Sequence, residues 1–286
     1  MRTNRPRFGL SGLTSLALLS CLTACGGGGE EVAPANNPEA AAPAPASLSV
    51  EMRAAAVEDH LVPSPGEMQA AMTAANIQAS LASLVPEREM DMSSDDKDHI
   101  AVRTGVVLAD MLLTVEGAPK EATVARFKQI QAGLQVLKAG DDLPREIDDL
   151  IGQIENDSLT GSKLVFELDQ LRAAVIPEIS YEADWTLPML QAGAWLEGAH
   201  LISKALADGA NSAGTELLQQ PDVVDYFLRY VAKEGEGRAD SKVLDTLKAT
   251  LSKIKEIVSK DALTAEDISA IHDSTGVVLD MLLKRG

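Results

Sequence analysis

The chain reads as all-α: a multi-helix bundle or an irregular array of helical hairpins, with about nine to ten helices. Three observations predict this. Apolar residues recur at helical spacing almost throughout, and no run alternates apolar with polar as a half-buried strand would. Helix start and stop signals follow one another in order along the chain. Aromatics are only 3% of the 286 residues, so alanine, leucine and valine supply the apolar mass.

Each element has a local reason. A first, weak helix is expected over 48–61, stopped by Pro63 and Pro65. Ser64-Pro65-Gly66-Glu67 then combines a cap, a first-turn proline and a carboxylate three residues after the cap. The helix it opens carries Met68, Met72, Ile77, Leu81 and Leu84 and ends at Pro86. Ser93 with Asp96 opens the next, whose stripe is Ile100, Thr104, Val107, Leu108 and Met111; Gly117 and Pro119 mark its exit. Further helices are expected at 120–138 (closed by Gly140), 143–156, 160–176 (closed by Pro177) and 185–208 (closed by Gly209). Pro188 fits the last of these because it falls in the first turn. Shorter helices cover 212–219 and 221–234, and Ser241 starts one running to Lys260. Thr264-Ala265-Glu266-Asp267 resembles a capping box and opens the final helix.

Two segments echo each other. Thr104-Gly105-Val106-Val107-Leu108 returns as Thr275-Gly276-Val277-Val278-Leu279, and Asp-Met-Leu-Leu follows both, at 110–113 and 280–283. Upstream, Gln78 to Leu84 parallels Lys248 to Ile254. The similarity pairs 67–113 with 237–283, which predicts two related helical hairpins near the ends of one body. The copies lie about 170 residues apart, far beyond the roughly 20–50 residue period of a solenoid. A poorer third relative runs from Ala194 to Leu201. A mid-helix glycine costs about 1 kcal/mol against alanine, so these glycines need a reason. Ala101, Gly105 and Ala109 share one helix face, and Ala194 with Gly198 repeats the device. Small residues there let a second backbone approach closely, and the alternative is a ligand cleft lined by these glycines.

The N-terminus carries an address. Arg2, Arg5 and Arg7 precede an apolar run from Leu10 to Leu22, too short to span a bilayer, which takes roughly 20 apolar residues. It ends in Leu22-Thr23-Ala24-Cys25. The pattern resembles a bacterial lipoprotein signal with its lipobox. The resemblance implies cleavage of residues 1–24 and fatty acylation of Cys25. Cys21 fits less well, because Leu19 and Ser20 precede it. By the same resemblance Gly26 after the cysteine, in place of Asp, implies the outer membrane, with the domain facing the periplasm or, as the alternative, the cell surface. Residues 25–47, rich in Gly, Ala and Pro, read as a disordered tether that lifts an all-α domain (48–286) off the membrane.

Composition narrows the chemistry. With 25 basic and 43 acidic residues the net charge is −18, and removing the leader takes three arginines and no acid with it. That argues against nucleic acid as a partner and against a polybasic hold on anionic lipid. Both cysteines lie at or before residue 25, so the domain has no thiol for disulfides, catalysis or metal. No hydrolase, zinc-protease, phosphate-loop or dinucleotide motif is present, and no cofactor is expected. The acidic stretch 141–157 lacks the register of a calcium loop and reads as a solvated helix face.

The remaining candidates are few. Glu197-x-x-His200 has the spacing of carboxylate-bridged di-iron bundles, and Asp96-x-x-His99 is a looser copy, so these four are the candidate metal ligands. Asp96 also suits a helix first turn. His272, Gly276 and Asp280 share a helix face, but the histidine and the carboxylate stand roughly 12 Å apart along the axis. Trp185 and Trp195, the only tryptophans, are candidate interface anchors alongside core packing. The domain also resembles helical envelope lipoproteins of unknown function that pair a Gly-Val-x-Leu-Ala-Asp-like helix (here Gly105 to Asp110) with a Trp-x-Glu-Gly-like one (Trp195 to Gly198). The expected function is a non-enzymatic, lipid-anchored scaffold that binds another envelope protein or peptide, with Trp185, Trp195, Glu197 and His200 as the first-choice surface. The alternative is a small-ligand or metal-binding bundle using Glu197 and His200.

Overall fold

The computed structural model describes residues 65–283, apart from 78–80, 82, 116, 141–142, 172–185, 210–211 and 235–240. The leader, Cys25, the tether, the 48–61 helix and Trp185 lie outside the described residues. Within them the regular structure is helical, without strands. In chain order come α1 (Pro65–Ala75), α2 (Lys97–Thr114), α3 (Lys120–Leu137) and α4 (Leu143–Glu155). Helical residues 161–171 form α5. Then follow α6 (Leu187–Ala207), a short 3₁₀ helix (Ser212–Leu217), α7 (Pro221–Glu234), α8 (Ser241–Val258) and α9 (Ala265–Leu283).

Helices α2 and α6 are apolar around nearly their whole circumference, and a helix of that kind belongs inside. They form the centre and cross each other closely. The third relative of the repeat lies on α6, and the two good copies, on α2 and α9, both pack against it. Beyond α2 lie α3 and then α4; beyond α9 lie α8 and then α7. The result is a row of neighbouring helices with α6 flanked by the repeated pair.

Two apolar clusters form the core, and α2 belongs to both. Its Val102, Val106 and Leu113 join α1 and α6–α9. Its Ile100, Val107 and Met111 join α3, α4 and α5, with Leu190 of α6. On α4, Ile147, Leu150, Ile151 and Ile154 face inward while Asp148 and Asp149 are exposed, the solvated acidic face expected from the sequence.

Glycine sets the α2–α6 crossing. A Cβ on Gly105 would lie 1.9 Å from the Leu190 carbonyl oxygen, and one on Gly193 would lie 2.2 Å from that of Val102. The close approach expected at Gly105 is therefore present. Its partner is Gly193, not Gly198, which has open space around it. A Cβ on Gly276, the repeat counterpart of Gly105, would lie 3.1 Å from the His200 ring.

Helix ends depart from the sequence reading in two places. The helix from Pro65 breaks after Ala75 instead of running unbroken to Pro86; Leu81, Ser83 and Leu84 are helical again. Asn76 takes a left-handed φ of 53°, and the Ile77 N–H bonds the Met72 carbonyl. Lys138 (φ 59°) and Asp157 (φ 63°) end α3 and α4 in the same manner. At the start of α2 the cap is Asp96, which accepts from the backbone N–H of Asp98 and His99. Ser93 instead bonds Asp91. Thr264 and Asp267 do form the reciprocal box at the start of α9.

Candidate functional site

A polar seam crosses the otherwise apolar centre, and α6 carries its middle. On the α2 side stands a carboxylate pair. Arg88, from the irregular segment 86–96, donates two bonds of 3.0 Å to the Asp110 carboxylate. The same guanidinium reaches Glu197 Oε1 at 2.6 Å. Asp110 and Glu197 are almost fully enclosed, and Arg88 is about a quarter exposed. Gln129 of α3 holds the arginine's segment by accepting the Met90 N–H at 2.7 Å. Arg126 of α3 lies beside the pair and donates to the Thr114 hydroxyl.

Burial pushes the Asp110 carboxyl up to about 7, against the opposing pull of Arg88 and with a further push from Glu197. Asp110 therefore holds a proton below neutrality. Glu197 Oε2 is buried without a hydrogen-bond partner, the single such side-chain atom among the described residues.

One turn further along α6, His200 turns to α9. Its ring stacks on that of His272 with centroids 4.1 Å apart and planes 16° from parallel. Each ring uses Nδ1 toward the other residue's backbone carbonyl, at 3.1 Å in both directions. Thr275, whose hydroxyl donates to the Ile271 and His272 carbonyls, closes the His200 end at 3.3 Å. Burial holds the His200 imidazole below its usual range, and His272 adds to that.

Glu197 and His200, read together as a metal motif, thus serve different neighbours: Arg88 with Asp110, and His272. Asp96 and His99 sit at the α2 N-terminus, paired with each other at 3.2 Å. No cluster of three or more His, Cys, Asp or Glu able to hold a metal occurs among the described residues. Trp195 is buried, donates to Gln220 Oε1 at 2.9 Å and packs near Phe227. Trp195 and Glu197 therefore belong to the interior and present no surface to a partner. The sequence does not single out Arg88 or Asp110 as site residues, and it places His272 on a face with Gly276 and Asp280 without showing its partner His200. Asp110 carried a signal, because a carboxylate flanked by Leu108, Ala109, Met111 and Leu112 must find a partner when the helix is buried.

Beside the seam an open groove runs between α6, α7, α8 and α9. Its cavity volume is about 30 Å³, and its walls include Met189, Leu196, Tyr230, Val231, Leu247 and Leu282. Among the described residues no charged side chain lines it. No described helix is long and apolar enough to cross a membrane. Comparisons of the chain with protein-family models, with curated proteins and with solved structures give no match.

Proposed function

We propose that this chain is a lipid-anchored, non-enzymatic helical protein of the bacterial cell envelope that binds an apolar segment of another envelope protein. The address rests on Leu22-Thr23-Ala24-Cys25 and the short apolar leader before it. The binding mode rests on one observation, the small groove bordered by α6 and α9, whose described lining carries no charge. A groove between helices receives an amphipathic helix or an extended apolar segment through side-chain anchors. The polar seam beside it is committed to internal pairs, which supports a structural rather than a catalytic use for those groups.

Two measurements test the two halves. Cys25→Ser is expected to move the protein from the membrane fraction to the soluble envelope fraction, and retention on the membrane would refute the anchor. A photo-crosslinking residue at Val231 is expected to give one discrete adduct in intact cells, lost when Leu247 becomes Glu. Absence of any adduct at Val231 would refute the groove.

A further inference from the structure

The His200–His272 contact is built symmetrically. A backbone carbonyl only accepts, so each Nδ1 carries the hydrogen and each Nε2 is left with a lone pair. His200 and His272 are each half-buried, which leaves the stack within reach of solvent protons. In the neutral state the two Nδ1–H donors fasten α6 to α9, each ring bonding the facing backbone. A first proton on either ring keeps its donor. A second would place two cations about 4 Å apart, in a seam where burial weakens solvent screening.

The charged groups around the stack do not offset this. Those whose fields reach His200 are His272 of α9, Glu197 of α6 and Arg88 before α2, and the last two oppose each other. Asp110 of α2 is committed to Arg88. Lys204, one turn further on α6, is committed to Asp208. Asp273 and Asp280 of α9 are exposed.

We propose that the His200–His272 stack is an acid-sensitive latch: protonation of both rings parts α9 from α6, while the glycine-packed α2–α6 crossing stays closed. Parting would widen the neighbouring groove, since Val278 and Leu282 of α9 form one of its walls. The latch stands on the histidine geometry alone and does not depend on what the groove binds.

The full chain labelled with 15N tests it. Long-range proton–nitrogen spectra at pH 7.5 are expected to show both rings as Nδ1–H tautomers, with His200 taking its proton below the ordinary imidazole range. In His272→Gln, which keeps a donor toward the His200 carbonyl, His200 should bind its proton about tenfold more tightly, one pKa unit. Hydrogen exchange, corrected for its intrinsic pH dependence, is expected to lose about tenfold protection in α9 relative to α2 between pH 7.5 and 5.0. That loss should shrink in His272→Gln. Nε2–H tautomers, equal loss in α2 and α9, or an undiminished loss in His272→Gln would overturn the latch. If the variant does not fold, the wild-type tautomers and the α9-to-α2 exchange ratio decide.

Discussion

Asp110 stands between burial, which favours its neutral form, and Arg88, which favours its charge. Burial wins, and the carboxyl titrates at about 7 in the fold against 3.8 as the reference for the open chain. The sign follows directly. Below 3.8 both states hold the proton, and between 3.8 and 7 only the folded state does. Stability from this group is therefore full at low pH and is lost as pH rises through 7. Asparagine cannot titrate. The stability of Asp110→Asn relative to wild type should thus improve by roughly 2–3 kcal/mol between pH 5 and pH 7. Urea unfolding at several pH values measures that difference, and a difference independent of pH would mean the proton is held elsewhere. His200 has the opposite sign. Its folded-state pKa is lowered, so its contribution is present above the open-chain value of 6.5 and lost as pH falls below it. One helix thus carries two titrating contacts that respond to acid in opposite directions on its two sides.

At the scale of the element, the crossing of α2 and α6 sets the spacing of everything packed on either side. Gly105 and Gly198 are both mid-helix glycines, yet their surroundings differ completely. In Gly105→Ala the new methyl meets the backbone of α6, which cannot yield without moving the whole helix. The expected cost is about 3 kcal/mol. In Gly198→Ala the methyl meets nothing, and the helix gains about 0.5–1 kcal/mol. Thermal or urea unfolding of the two variants checks the contrast, and equal effects would show that the crossing is looser than the structure has it. Much of this architecture was legible in the sequence. Helical periodicity located the described helices, the echo at Thr104 and Thr275 identified two related helices, and Thr264 with Asp267 announced the start of α9. What was hidden is three-dimensional. The small-residue face of α2 named one side of the crossing, but only the fold shows that Gly193 and not Gly198 answers it. The Asn76 break was masked by apolar spacing that continues through Ile77 and Leu81. His272 looked isolated because its partner lies 72 residues away on another helix.

For the whole molecule, the telling fact is that α2 lies in both apolar clusters. Two cores joined only by a linker would melt separately, whereas two cores that share a buried helix cannot, because exposing α2 dismantles both. Ile147 of α4 is fully buried in the cluster of α3, α4 and α5, and Trp195 is buried in the other. Ile147→Ala removes apolar contacts and leaves a cavity, at an expected cost of about 2–5 kcal/mol. The loss should register equally at Trp195, although the two residues sit in different clusters. In a Trp185→Phe background, where emission reports Trp195 alone, urea midpoints from fluorescence and from helical circular dichroism should shift together and remain coincident. Were the fluorescence midpoint to stay at its wild-type value while the dichroism split into two steps, the halves would be independent. The close α2–α6 crossing would then be a contact between domains, and the polar seam on it an interface able to open without unfolding either side.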